Sequence, residues 1–245
     1  MKKWTEDELN KLPVEEGFRL RGYLMTRLET FTDAAFAFAI TMLVISIGKI
    51  PGNLNELISA LKTTPALIMA FAMIFLFWSN HRFWSRQFGL DTFSSRLITF
   101  GLIFILLVYV YPLRLMASLL MSLFSNGFFP SEFVVSGLND IPKLFIIYGI
   151  GFILISTLFS LLFYQGWNRA DELSLNKFEK KETATAIAAW VICTLTGLIA
   201  TGMAVFAPPH IGVFSGFIYS TLPITIYFVS RKILSDYKKD TKLNN

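Results

Sequence analysis

The chain has 245 residues, of which 54% are hydrophobic and only 16% are charged. A soluble globular domain usually has about 25% charged residues, so this composition excludes an ordinary soluble protein. The net charge of +5 does not indicate a nucleic-acid partner, because the positive residues flank long apolar blocks, as membrane insertion requires.

The chain begins with a polar segment, residues 1–30, in which apolar side chains alternate with charges. We predict that residues 17–30 form a helix that lies at the membrane surface or leads into the first span. Pro13 should end any helix that precedes it. We expect this first segment to be cytoplasmic or interfacial, residues 31–233 to form the membrane domain, and residues 234–245 to form a basic cytoplasmic tail.

Six apolar blocks follow, each long enough to cross a hydrocarbon layer of about 30 Å as a helix. They lie at Phe31–Ile50, Thr64–Trp84, Leu97–Leu123, Ile141–Gln165, Thr183–Phe206 and Ile211–Ile233. The predicted fold class is therefore an all-α integral membrane protein with six transmembrane helices and the lipid bilayer as its surroundings. Pro112 should kink the third helix or mark its outer end.

The positive charges predict the orientation. Of the 22 lysines and arginines, only Lys49, Lys62, Arg114 and Lys143 would lie outside if the amino terminus is inside. Since cytoplasmic loops carry an excess of these residues, we predict that both termini are cytoplasmic. Arg114 should reach the outer interface by snorkelling and is not expected to be a buried functional charge.

The tryptophans fall into two groups. Trp4, Trp84 and Trp167 should belong to an aromatic belt at the membrane interface. Trp78 and Trp190 are set apart from this belt by their positions in the apolar blocks. No place in the belt is predicted for these two.

The first span carries a carboxylate. Asp33 lies at or inside the membrane boundary, where a charge is costly unless it is paired. Arg27, six residues earlier, points to another side of the helix. We therefore expect partners of Asp33 on neighbouring helices as well as on its own.

One stripe of the first span follows helical spacing and consists of Ala34, Phe38, Thr41, Ile45 and Gly48. If copies of this helix surround an axis, Phe38 forms an apolar constriction and Thr41 forms a ring of oxygens about one turn deeper. Apolar rings gate by dewetting, and hydroxyl oxygens can replace part of the water shell of a cation. The alternative is ordinary helix packing, with Thr41 bonded to its own backbone.

Two stretches of the chain resemble a known family. The first is Arg27-x3-Phe31-Thr32-Asp33, which resembles the Arg-x3-Phe-Ser-Asp signature of the transmembrane protein 175 potassium channels. The residues that follow, through Thr41, resemble the bacterial branch of that family. The second stretch is Phe77-Trp78-Ser79-Asn80-His81-Arg82, which is similar to the ending of the second span in those channels.

The resemblance implies a potassium-permeable channel without the usual pore loop, in the bacterial inner membrane. It implies a homotetramer of six-span subunits, with the first helix of each lining the pore, permeant K⁺ and no resident cofactor. It places the constriction at Phe38, where the family has isoleucine or leucine, and a hydroxyl layer at Thr41. It also implies a packing network that holds the pore helix, formed by Arg27, Phe31, Thr32, Asp33, Asn80, His81 and Trp190.

Other classes of function are not indicated. The sequence has no phosphate-binding glycine loop, no His-Glu-x-x-His and no nucleophile elbow, so no enzyme is predicted. It also lacks a Thr-Val-Gly-Tyr-Gly filter and an arginine-rich voltage sensor. The alternatives to a channel are a secondary transporter, which needs a polar site near the midplane, and a non-conducting membrane scaffold. For His81 alone, two roles stay open, a hydrogen bond to Arg27 or Asp33, or a position at the interface.

Overall fold

The computed structural model describes residues 4–45, 50–137 and 139–243, with side chains up to Ile233. Gly48 of the predicted stripe therefore lies outside the described residues. Of the predicted basic tail, only the main chain up to Leu243 is described.

The amino-terminal segment begins with a short helix, α1 (Glu6–Asn10), which ends before Pro13 as predicted. A two-stranded hairpin follows, with β1 (Val14–Glu15) antiparallel to β2 (Phe18–Arg19). The two residues between the strands both have positive φ, 50° at Glu16 and 84° at Gly17. This is the backbone that a two-residue hairpin loop requires. The predicted helix over residues 17–30 is therefore wrong, because helical structure resumes only at Arg27.

The membrane domain is helical throughout its long segments. Its helices are α2 (Arg27–Ile45), α3 (Leu54–Lys62), α4 (Thr64–Phe88), α5 (Phe93–Phe124), α6 (Asp140–Asn168), α7 (Lys177–Phe206), α8 (Pro209–Gly212) and α9 (Leu222–Leu243). A 3-10 helix, Ser215–Thr221, lies between the last two. Within the described residues, six stretches are long and apolar enough to cross a membrane, with α3 and α4 counted together and α8 to α9 as the sixth. The predicted six-span architecture is confirmed.

Local sequence explains several helix ends. Thr92 caps α5 and Asn176 caps α7, each through a capping box that satisfies main-chain N–H groups of the first turn. Gly89 ends α4 in the left-handed conformation, with φ of 60°, which glycine adopts without steric cost. Pro112 does not mark the end of the third span, because α5 continues past it to Phe124. The sixth span, expected as one helix, is interrupted by the 3-10 segment.

One face of α2 packs against α4 and α5 and closes the core. Phe36, Ala39 and Leu43 on this face are buried, in a cluster that includes Trp84. Trp84 is fully buried, and its indole N–H donates to the Leu162 carbonyl oxygen on α6 at 2.7 Å. Its predicted place in an interfacial belt is therefore wrong.

The amino-terminal segment is attached where α4 ends and α7 begins. The Gly22 amide donates to the Arg86 carbonyl oxygen at 2.9 Å, and a Cβ at Gly22 would collide with the Ser85 carbonyl oxygen. Arg21 forms an ion pair of 2.9 Å with Glu179 on α7, and neither side chain is accessible to solvent. These contacts fix the chain immediately before α2.

Candidate ion-conduction site

The residues of the predicted stripe lie together on one face of α2. Ala34, Phe38, Thr41 and Ile45 are all exposed, with 55% of Phe38 and 71% of Ile45 accessible in the single chain. The opposite face of the same helix is buried against the protomer. The protomer therefore leaves the stripe uncovered.

The uncovered face of α2 differs in composition from the exposed apolar face of α5. The exposed side chains of α5 are large and apolar, for example Phe100, Phe104 and Val108. On α2, exposed alanines lie beside Phe38, with the hydroxyl of Thr41 one turn further on. Small residues allow helices to approach closely, and a hydroxyl on an otherwise apolar surface favours a polar surrounding. This face suits the surroundings of a narrow water-filled path.

The hydroxyl of Thr41 is oriented by its own helix. It donates to the Ala37 carbonyl oxygen at 2.9 Å, the bond expected for a threonine inside a helix. Because this bond uses the hydroxyl proton, the exposed oxygen offers only lone pairs. A lone pair suits a cation, so the backbone bond is compatible with a role in ion coordination.

Asp33 is paired across helices. The indole N–H of Trp78 on α4 donates to Asp33 Oδ1 at 2.7 Å. Arg27 is exposed and, among the residues the structure describes, makes no hydrogen bond or ion pair with Asp33. The expectation of a partner on a neighbouring helix is met by Trp78.

Among the described residues, the hydrogen bonds of the other members of the predicted network go to groups other than Asp33. Thr32 is buried and donates to the Leu28 carbonyl oxygen at 2.7 Å, while Phe31 is exposed. Asn80 donates to the Leu76 carbonyl oxygen of its own helix at 2.9 Å. Each of these contacts is local to one helix, so the predicted single network does not form inside the protomer.

His81 and Trp190 occupy separate positions in the core. His81 is buried, and its Nε2 lies 3.1 Å from the Thr99 hydroxyl oxygen on α5. Trp190 stacks on Phe159, with ring centroids 4.3 Å apart and planes at 16°. Both predicted roles of His81 are therefore wrong, since it joins α4 to α5 instead of bonding Arg27 or Asp33 or lying at the interface. Trp190 also contacts Phe77, the first residue of the second motif stretch, with ring centroids 6.3 Å apart.

Arg114 is buried near the far end of α2, contrary to the snorkelling prediction. Its side chain is 6% exposed, and it forms two hydrogen bonds with the Glu132 carboxylate, at 2.7 and 2.5 Å. A third hydrogen bond, of 2.7 Å, goes to the Leu43 carbonyl oxygen in the last turn of α2. A cation that snorkels to water would be more exposed, so the snorkelling prediction is wrong.

The partners of several residues in this region could not be predicted from the sequence. Trp78 was separated from the belt but not connected to Asp33, although it lies inside the motif stretch of the second span. Nothing in the sequence marks Thr99 or Glu132 as a partner of another helix. Thr99 is a single threonine in an apolar block, and Glu132 lies in a loop. Among the described residues, no group of three or more His, Cys, Asp or Glu side chains could hold a metal ion.

Comparisons with known proteins agree with this architecture. The family described as endosomal/lysosomal potassium channel TMEM175 matches residues 27–112, which run from the start of α2 into α5. A potassium channel of Marivirga tractuosa is 32% identical over 234 residues, which cover 89% of this chain and 94% of that protein. A potassium channel of Chamaesiphon minutus is 33% identical over 105 residues, which cover 38% of this chain and 50% of that protein.

A solved structure has the same fold. The crystal structure of a variant of the potassium channel MtTMEM175, in complex with a nanobody–MBP fusion protein, superposes with a TM-score of 0.78. The sequence identity is 28%, and the alignment covers 92% of this chain and 100% of that chain. Six membrane-spanning helices and this shared fold define the class as a multi-pass membrane channel protein of the bacterial cell membrane, and not an enzyme. The chain belongs to the TMEM175 family of potassium channels.

Proposed function

We propose that this chain conducts potassium passively across the membrane, as a homotetramer whose pore is lined by α2 of each subunit. The observation that carries the proposal is the uncovered face of α2, where alanines, Phe38 and Thr41 lie on one line. The family membership supports the choice of ion. The comparable relatives are named potassium channels.

The arrangement suggests how the pore works. Around a fourfold axis, the Phe38 rings form an apolar constriction that water leaves when the pore is narrow. Thr41 lies three residues further along, about 4.5 Å along the helix axis. Its hydroxyl oxygens supply part of the coordination that a potassium ion loses with its water shell. The ion is cargo, and no resident cofactor belongs to this mechanism.

The packing of α2 supports this role. The contact of Trp78 with Asp33 holds the start of the helix against α4, and the buried face from Phe36 to Leu43 holds its length. Asp33 is thus a structural carboxylate in the proposal and not an ion ligand. We also propose that both termini are cytoplasmic, as the distribution of lysine and arginine indicates.

Ion flux from reconstituted vesicles tests the proposal. Purified tetramer in potassium-loaded liposomes should release potassium down its gradient, and faster than it releases sodium from matched vesicles. Absence of flux would favour a scaffold, and saturable solute uptake coupled to an ion gradient would favour a transporter. Either result would overturn the proposal.

A paired substitution tests which face lines the pore. Ala34→Trp places a large ring on the uncovered face of α2 and should block flux. Val108→Trp places the same ring on the exposed face of α5 and should leave flux unchanged. Equal flux from both variants, with the tetramer intact, would remove α2 from the pore.

A further inference from the structure

Arg114 connects three segments of the chain at one point. Its guanidinium binds both carboxylate oxygens of Glu132, in the loop after α5, and the Leu43 carbonyl oxygen near the end of α2. Leu43 is fully buried, and its carbonyl lies half a turn beyond Thr41 on the same helix. The Arg114 side chain, on α5, thus contacts the main chain of the pore helix α2, close to Thr41.

The electrostatics favour this position for a cation. The carboxyl-terminal end of a helix carries a partial negative charge, so a guanidinium bonded to a carbonyl there is stabilised. A planar guanidinium can bind a carboxylate with two N–H groups and still donate a third hydrogen bond elsewhere. Arg114 uses this geometry, since each contact comes from its own N–H group.

The loop partner is itself held in place. The Glu132 amide N–H donates to the Ser118 hydroxyl oxygen on α5 at 3.1 Å. The Glu132 side chain remains 25% exposed, where it lines an open cavity of about 870 Å³ together with Glu56 and Thr63. Ser118 and Arg114 are on one helix, so Glu132 is positioned from α5 at both its main chain and its side chain.

We infer that Arg114 is a positioning residue for ion selectivity. Glu132 orients its guanidinium, and the bond to the Leu43 carbonyl oxygen fixes the position of Thr41 along the axis of α2 and its rotation about that axis. This inference rests on the proposed function, because it concerns the same pore. Arg114 touches no ion in this mechanism. It acts through the main chain of α2.

The decisive variant separates the ion pair from the bond to α2. The exchange R114E/E132R keeps opposite charges at the two positions but removes the donor to the Leu43 carbonyl oxygen. E132Q keeps that donor and removes the charge of its partner. R114K retains a cation with a single ammonium, which cannot reproduce the three-way geometry.

The readout is the ratio of potassium to sodium permeability, obtained from reversal potentials with potassium on one side and sodium on the other. We expect the exchange to lower this ratio by roughly threefold to tenfold, because selectivity is a difference of two affinities that depends on precise placement. R114K should lie between wild type and the exchange, and E132Q should change the ratio least. R96Q, which breaks the exposed pair of Arg96 with Asp91 at the start of the same helix, should leave it unchanged.

Hydrogen exchange provides the second measurement. In R114E/E132R and R114K, amides of the last turns of α2, from Ile40 to Ile45, should exchange faster than in wild type, while α6 stays as protected as before. If the exchange variant does not assemble, R114K carries the same test. A variant tetramer with wild-type selectivity and wild-type exchange in α2 would overturn the inference. Failure of the wild-type protein to conduct would instead overturn the proposed function, so the two failures are distinguishable.

Discussion

The indole nitrogen of Trp78 lies 2.7 Å from Oδ1 of Asp33, so a carboxylate in the first turns of α2 is paired with a neighbouring helix of the same chain. A carboxylate near the hydrocarbon layer is costly without such a donor. This bond therefore connects the motif of the first span to the motif of the second. Through this bond, one residue of each stretch helps to hold α2 against α4.

Replacing Trp78 by phenylalanine tests the importance of this bond. W78F keeps an aromatic ring and removes the donor to a half-buried carboxylate, so the free energy of unfolding should fall by about 1 kcal/mol, the usual net contribution of one hydrogen bond. The measurement is the thermal unfolding midpoint of the purified protein. W167F changes an exposed ring and should leave the midpoint unchanged. Equal midpoints for both variants would mean that the bond contributes nothing.

Thr41→Val removes the hydroxyl and keeps the shape of the side chain. We expect the preference for potassium over sodium to fall several-fold, because an apolar group cannot replace water around a cation. Thr157→Val on α6 is a matched control, since Thr157 also donates to its own helix, at 2.7 Å from the Ile153 carbonyl oxygen. The reversal potential of the Thr41 variant should differ from that of wild type, and that of the Thr157 variant should not. An unchanged ratio of potassium to sodium permeability in the Thr41 variant would exclude this residue from selectivity.

Phe38→Ala should widen the apolar constriction. We expect a several-fold higher potassium flux at the same protein density, because a wider apolar ring stays hydrated. Phe100→Ala on α5 removes an equally exposed ring outside the proposed pore and serves as the control in the same flux assay. Unchanged flux in the Phe38 variant would place the constriction elsewhere.

The buried ion pair between Arg21 and Glu179 should be essential for stability. Arg21→Met leaves Glu179 buried without its cation, and such removal of one partner costs about 3–5 kcal/mol. Lys180→Gln breaks the neighbouring exposed contact with Asp171, at 3.3 Å, and should change stability by less than about 1 kcal/mol. Thermal unfolding of the two variants in the same detergent gives the comparison. Similar midpoints would contradict the burial of the first pair.

Gly22→Ala tests the attachment of the amino-terminal segment. An added Cβ collides with the Ser85 carbonyl oxygen and lies 2.9 Å from Gly89 Cα, so the segment cannot keep its place. Limited proteolysis should then cut near residue 22 much faster than in wild type. Gly202→Ala adds the same atom at a helical position with nothing within 4 Å. In this variant, the rate of cleavage near residue 22 should equal that of wild type.

The membrane architecture could be predicted from the sequence because each span depends mainly on its own residues. Block length and hydropathy identified the six spans. The spacing of Ala34, Phe38, Thr41 and Ile45 identified a common face of α2. These properties belong to one helix at a time and need no knowledge of its neighbours.

Contacts between segments were harder to predict from the sequence. Arg114 looked like an interfacial charge because its partner Glu132 lies in a loop whose path the sequence does not specify. His81 was placed in the motif network by the family resemblance, yet its partner Thr99 lies on α5. The hairpin did have a signal, since Glu16 and Gly17 separate two short apolar-polar pairs, and a two-residue loop with positive φ favours glycine.

Two of the attachments of α2 involve its main chain or the main chain next to it. The Gly22 amide bonds the Arg86 carbonyl before the helix, and Arg114 bonds the Leu43 carbonyl near its end. Neither attachment depends on which side chains occupy positions 38 and 41. Substitutions at these two positions should therefore leave the place of α2 in the fold unchanged, so that the proposed constriction can be altered without disturbing the packing that carries it.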